Sequence, residues 1–143
     1  MTGYRSPQLR HVCERAGCYL QQLPNWRDIV DCFDDPNKPH PIRPTDIDGM
    51  VEIGGRFMFL EEKRAGVAMP TGQRIAFQRL ADAGDVTVVV MRPVTPVRSA
   101  DEVSDPLEVM VYPGYPRWRR MSREEFLRGL RRWSESARLR RAG

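Results

Sequence analysis

The sequence predicts an α/β fold: a mixed sheet built on a central hairpin flanked by helices, with an amphipathic helix at the C-terminal end. Three observations carry this reading. Residues 44–63 read as two apolar arms meeting at Gly54-Gly55. A helical pattern over 71–83 and a strand apolar on both faces, Val86 to Met91, follow directly. Residues 122–137 place apolar side chains at helical spacing behind a capping sequence. A hairpin, a helix and then a buried strand is the order in which a strand returns beside the hairpin through a crossover. At 143 residues the chain reads as one domain, 1–143, with its core at about 44–92 and a basic C-terminal helix at about 117–141.

The chain opens with Ser6-Pro7, a cap followed by a first-turn proline. Leu9, Val12, Cys13, Ala16, Leu20 and Leu23 then recur at helical spacing, so a helix is expected to end near Pro24. His11, Cys13, Cys18, Cys32 and His40 raise the question of zinc. Structural zinc prefers closely spaced ligand pairs. Only Cys13 and Cys18 are close, and Cys13 belongs to the apolar stripe, so no structural zinc is expected. Three cysteines, an odd number, do not suggest a disulfide framework. Five prolines, from Pro24 to Pro44 inclusive, predict a loop, with one short element around Trp26 to Phe33.

The hairpin is the most informative stretch. A Gly pair supplies the positive φ angles of a two-residue turn. With that loop Ile53 faces Arg56, and the numbers of every opposed pair add to 109. Asp48 then lies opposite Glu61, and Asp46 opposite Lys63. Side chains alternate along a strand, so all four share one face. Opposed β-carbons sit roughly 5 Å apart. Carboxylates that close repel unless a cation or a proton lies between them. Mg²⁺ suits such a site, because it takes hard oxygen ligands and keeps several waters. Lys63 is one of only two lysines in a chain with 21 arginines. A group that must orient water or exchange a proton has to be Lys, since Arg stays protonated. The plainer alternative is a surface hairpin with an Asp46–Lys63 ion pair.

Past Lys63, Arg64 to Pro70 form a loop and Thr71 is placed to cap a helix. Gln73, Phe77 and Leu80 share one stripe of that helix, and Gly84 ends it. Val86 to Met91 reads as the central strand. Leu107 to Tyr112 reads as a short edge strand ended by Pro113. Tyr115, Arg117, Trp118, Arg119 and Arg120 interleave aromatic rings with cations. That mixture suits base stacking with phosphate contact, and equally an anchor that packs the last helix. Ser122-x-x-Glu125 is a capping box, and Phe126, Leu130, Trp133 and Ala137 make the apolar stripe behind it.

The net charge of +4 is uneven: residues 117–143 carry +7 and the rest −3. A basic end on a near-neutral body fits a polyanion partner, or a solvated helix face in an Arg-rich chain. No apolar run reaches the roughly 20 residues that span a bilayer. No membrane association and a cytoplasmic location are expected.

Asp48 followed by Glu61-Glu62-Lys63 resembles the D…(D/E)-x-K signature of the PD-(D/E)XK nuclease superfamily, and the resemblance covers about residues 44–92. The context strengthens it: Pro44 before the acids, the hairpin, Gly72-Gln73 opening a helix, then a buried strand. Gln73 and Phe77 are similar to the QxxxY element of the RecB-like branch, with Phe in the place of Tyr. The resemblance implies a restriction-endonuclease-like core and hydrolysis of phosphodiester bonds, most readily in DNA. It implies Mg²⁺ or Mn²⁺ held by Asp48 and Glu61, with Glu62 adding its backbone carbonyl. Asp46 is the alternative first acid, or a ligand of a second ion. Asp48 is favoured because it pairs with Glu61. Lys63 would orient water and Gln73 would steady it. An N-terminal helix can add a carboxylate in this family, and Glu14 is the candidate here. Arg64, Arg117, Arg119 and Arg120 are the expected phosphate contacts. The expected partner is DNA, branched or single-stranded forms included, in a bacterial or phage-infected cell, and a homodimer is compatible. The rival reading is a catalytically inactive nucleic-acid-binding or protein-interaction module on the same fold.

Overall fold

The structure, a computed structural model, describes residues 31–33, 35–39, 47–99 and 102–141. Contacts divide the chain into two compact units, residues 1–48 and 49–143. The expected N-terminal helix, Glu14, the His11/Cys13/Cys18/His40 set and Asp46 lie outside the described residues. In the first unit, Asp35 organises a turn: its side chain accepts the Asn37 N–H and its carbonyl the Lys38 N–H, both at 2.9 Å.

The second unit is a five-stranded mixed sheet with a helix on each face. Its elements are β1 (Gly49–Ile53), β2 (Arg56–Glu62), α1 (Thr71–Asp82), β3 (Val86–Pro93), β4 (Leu107–Tyr112), β5 (Tyr115–Met121) and α2 (Arg123–Arg141). Strand order follows sequence order, β1 to β5. Only β2 and β3 run parallel, joined by the α1 crossover. The hairpin register is the expected one, from Gly49 opposite Leu60 to Ile53 opposite Arg56. Gly54 and Gly55 take φ of 58° and 84°, the left-handed pair that a two-residue turn requires. The Glu52 carboxylate fastens the turn by accepting the Gly55 N–H at 2.7 Å.

The strand read as central is central. Val88 and Val90 face α1 and are fully buried, together with Met110 and Tyr112 of β4 and Phe77 and Ala81 of α1. Val89 faces the other way, into a cluster with Met58, Val109 and Met121 that Phe126, Leu130 and Trp133 of α2 cover. A strand enclosed on both sides reads as an unbroken apolar run because neither face meets water.

Four expectations are corrected. The hairpin is not central: β1 is an edge of the described sheet, with Met50 and Val51 exposed. β4 is not an edge strand, because β5 pairs with it on the outside. The basic C-terminal helix does not start near 117; it starts at Arg123, and Arg117, Arg119 and Arg120 belong to β5. Pro113-Gly114 reverses the chain, with Gly114 at φ 144°, and Val111 pairs with Tyr115. The Ser122 hydroxyl accepts the Glu125 N–H at 3.1 Å, and that cap holds the helix start after the strand. Thr71 does not cap α1. It is the first helical residue, Pro70 occupies the cap position, and no side chain caps there.

Candidate functional site

Glu61 is the one charged side chain among the described residues that is fully buried, at 5% exposure. It lies near the end of β2, opposite Val90 of β3, on the face that α1 covers. Taking a carboxylate out of water costs several kcal/mol unless partners compensate. Two do. Lys63 Nζ donates to Glu61 Oε1 at 2.9 Å, and Gln73 Nε2 donates to the same oxygen at 3.0 Å. The other amide atom of that side chain, Gln73 Oε1, is buried and accepts no hydrogen bond among the described residues.

The local structure explains the convergence. Glu61 and Lys63 are two apart on a strand and so point to one face. The Lys63 N–H donates to the Met91 carbonyl at 2.8 Å, which carries the β2–β3 pairing one residue past the strand. Gln73 stands in the first turn of α1, whose Phe77 and Ala81 seat the helix on that same face. Lys63 is half-buried, with 16% of its side chain exposed. One donor of the cluster therefore still meets solvent. Glu62 alternates to the other side and is exposed. It lines a cleft of about 400 Å³ with Met91, Val97 and Leu107, which Lys63 also borders.

Three of the four expected catalytic residues, Glu61, Lys63 and Gln73, thus meet at one oxygen. The fourth, Asp48, is half-buried in a bend immediately before β1. The Lys63 partner seen here is Glu61 on its own strand. No group of three or more His, Cys, Asp or Glu side chains comes together among the described residues.

The expected phosphate contacts do not form one patch. Arg64 is exposed in the loop after Lys63. Arg120 pairs with Glu108 and Arg119 with Val109, so neighbouring arginines on β5 point to opposite faces. Arg120 lies on the Glu61 face. Arg119 lies on the α2 face, over the Tyr115 ring and 3.8 Å from Glu125.

One polar residue near the site was missed. Arg92 is the last residue but one of β3, on the Glu61 face. Its guanidinium lies 3.9 Å from the Trp118 ring centroid, donates to Glu108 at 3.2 Å and donates to the Val67 carbonyl at 2.6 Å. It ties β3, β4, β5 and the loop after Lys63 together. The signal in the sequence was a lone Arg closing an apolar run, Val88-Val89-Val90-Met91-Arg92.

Comparison of the chain with protein-family models, with curated proteins and with solved structures finds no match.

Proposed function

We propose that this chain is a nuclease that hydrolyses phosphodiester bonds in DNA with the help of Mg²⁺ or Mn²⁺. The observation that supports the reading is the convergence of Lys63 and Gln73 on one oxygen of buried Glu61. An apolar residue at 61 would fill the same space without the desolvation cost. A buried acid with a lysine two residues on and a helix-borne amide against it has a chemical use instead.

The residues at the site suit the ion. Mg²⁺ needs only one or two carboxylates and keeps its remaining waters. Glu61 would supply one carboxylate and Asp48, whose number completes 109 with it, the other. Gln73 Oε1 is a hard oxygen that is buried without a donor. When bound, the ion would polarise the scissile phosphate and acidify the attacking water. The work of the chain itself is positional. Lys63 holds its ammonium beside Glu61, where it offsets phosphate charge and orients the water. Gln73 Oε1 accepts from that water, which meets the cost of about 1–3 kcal/mol of leaving a buried acceptor unmet. Exposed Arg64, in the loop after Lys63, and exposed Arg120, on the Glu61 face of the sheet, contact the phosphate backbone, and the cytoplasm is where that DNA is met.

The test is a cleavage panel of labelled single-stranded, duplex, nicked and branched DNA, with RNA alongside, in Mg²⁺, in Mn²⁺ and in EDTA. Cleavage that requires the metal and disappears in Glu61→Gln is expected. No cleavage of any substrate in either metal would overturn the reading. Binding without cleavage would favour an inactive nucleic-acid-binding module, to which the already doubly bonded Glu61 Oε1 lends support.

A further inference from the structure

The face of the sheet opposite Glu61 holds a second feature. Between the sheet and α2 lies a cavity of about 350 Å³. That volume falls at the small end of the range found for pockets that enclose small molecules. Met58, Val89, Val109 and Met121 form its buried floor, and Leu130 and Trp133 of α2 wall it.

Three observations say that the space is made for an occupant. Gly129 lies inside α2 and lines the cavity, and a Cβ built there would meet no atom within 4 Å. After proline, glycine weakens a helix interior most. Close helix packing, the usual reason to accept one, is absent here. Second, Trp133 Nε1 is buried and donates to nothing among the described residues. A buried indole N–H normally finds an acceptor. Third, the charge around the cavity is cationic. Exposed Arg119 and Arg132 line it, Arg56 lies 5.9 Å from the Trp133 ring, and Glu125, which faces Arg119, is the one acid in the lining.

Apolar walls, an unmet donor and surplus cations select one kind of ligand. We propose that this cavity binds a small apolar carboxylate, its hydrocarbon part on the Met58–Val109 floor and its carboxylate toward Trp133 Nε1, Arg119 and Arg132. The site is separated from Glu61 by the thickness of the sheet, and it stands whether or not the chain cleaves DNA.

Octanoate is a suitable probe of the full chain, followed by calorimetry and by tryptophan fluorescence, with octanol as its uncharged counterpart. Saturable binding of one octanoate per chain is expected, at least tenfold tighter than octanol. Gly129→Leu, which fills the cavity, should weaken it at least tenfold. Trp133→Phe keeps an aromatic wall and removes the N–H, and the Arg119→Ala/Arg132→Ala double variant leaves the apolar cavity walls intact. Each should weaken octanoate while leaving octanol unchanged, which keeps the test decisive if Gly129→Leu does not fold. No saturation up to about 10 mM, a concentration that detects even weak sites, would overturn the proposal. So would equal affinity for octanol, or binding unaffected by these variants.

Discussion

The Arg92 guanidinium carbon lies over Trp118, 3.9 Å from the ring centroid, and the same group holds Glu108 at 3.2 Å. Both charged side chains are largely shielded, at 12% and 20% exposure. Arg92→Ala removes the stack and leaves Glu108 without its cation. A loss of about 2–3 kcal/mol is expected from a partly buried pair and a desolvated cation–π contact together. Urea unfolding measures it, and a loss under about 0.5 kcal/mol, the scale of ordinary surface substitutions, would show the clamp to be incidental. Arg92→Met, which keeps the packing over Trp118, should lose less than Arg92→Ala.

Tyr112 gives a pH dependence with a definite sign. Burial raises its phenol above the ordinary value of 10.0, and the nearby Arg74 charge offsets part of that. The folded chain therefore holds this proton more tightly than the unfolded chain does. The stabilisation is complete below pH 10.0 and is lost as pH climbs from there through the raised folded value. Thermal melts between about pH 9 and 11, around the ordinary tyrosine value, should show a fall that Tyr112→Phe reduces. An identical fall in the variant would assign it to other groups.

How far the sequence carried the structure depends on where contrast was available. The hairpin register was legible because Gly54-Gly55 admits one tight turn, and β3 because Val88-Val89-Val90 has no polar face. β5 was not legible. Tyr115-Pro116-Arg117-Trp118-Arg119-Arg120-Met121 shows no apolar and polar alternation, since its arginines fall on both faces. An edge strand tolerates that, and charges there discourage pairing with other chains. With no strand expected at 115–121, β4 was left as the edge. At the site, the residue types and the shared face of Glu61 and Lys63 were legible. The partnership was not: local alternation cannot say whether a lysine bonds across the hairpin or along its own strand. Arg92 escaped because its partners, Val67, Glu108 and Trp118, are brought to it by three separate connections.

The strand placement of the basic residues sharpens the expected DNA contact. Arg120 lies on the Glu61 face, whereas Arg119 is engaged with Tyr115 and Glu125 on the other. Arg120→Ala and Arg64→Ala should each reduce the salt dependence of DNA binding by up to about 0.9 in log–log slope, one phosphate contact apiece. Arg119→Ala should change it less. Equal slopes for all three variants and the parent would return these arginines to solvated charge.

Lys63→Arg separates a catalytic lysine from a structural one. The substitution keeps the positive charge beside Glu61. If Lys63 served only to pair with that carboxylate, Arg would serve as well or better, because its fork suits a carboxylate. A lysine that positions water is a different matter. The broader planar group would occupy the water's place beside Glu61 Oε1, where Lys63 Nζ and Gln73 Nε2 already crowd one oxygen at 2.9 and 3.0 Å. It also cannot release a proton. Single-turnover cleavage is expected to fall by roughly a hundredfold, the scale of a lost positioning or proton-transfer group, with DNA affinity and melting temperature close to those of the parent. Lys63→Met removes the charge as well and should lower the melting temperature, since it takes the ammonium away from buried Glu61 Oε1. Full cleavage by Lys63→Arg with a lowered melting temperature in Lys63→Met would make Lys63 a structural counter-ion and leave the nuclease reading without its lysine.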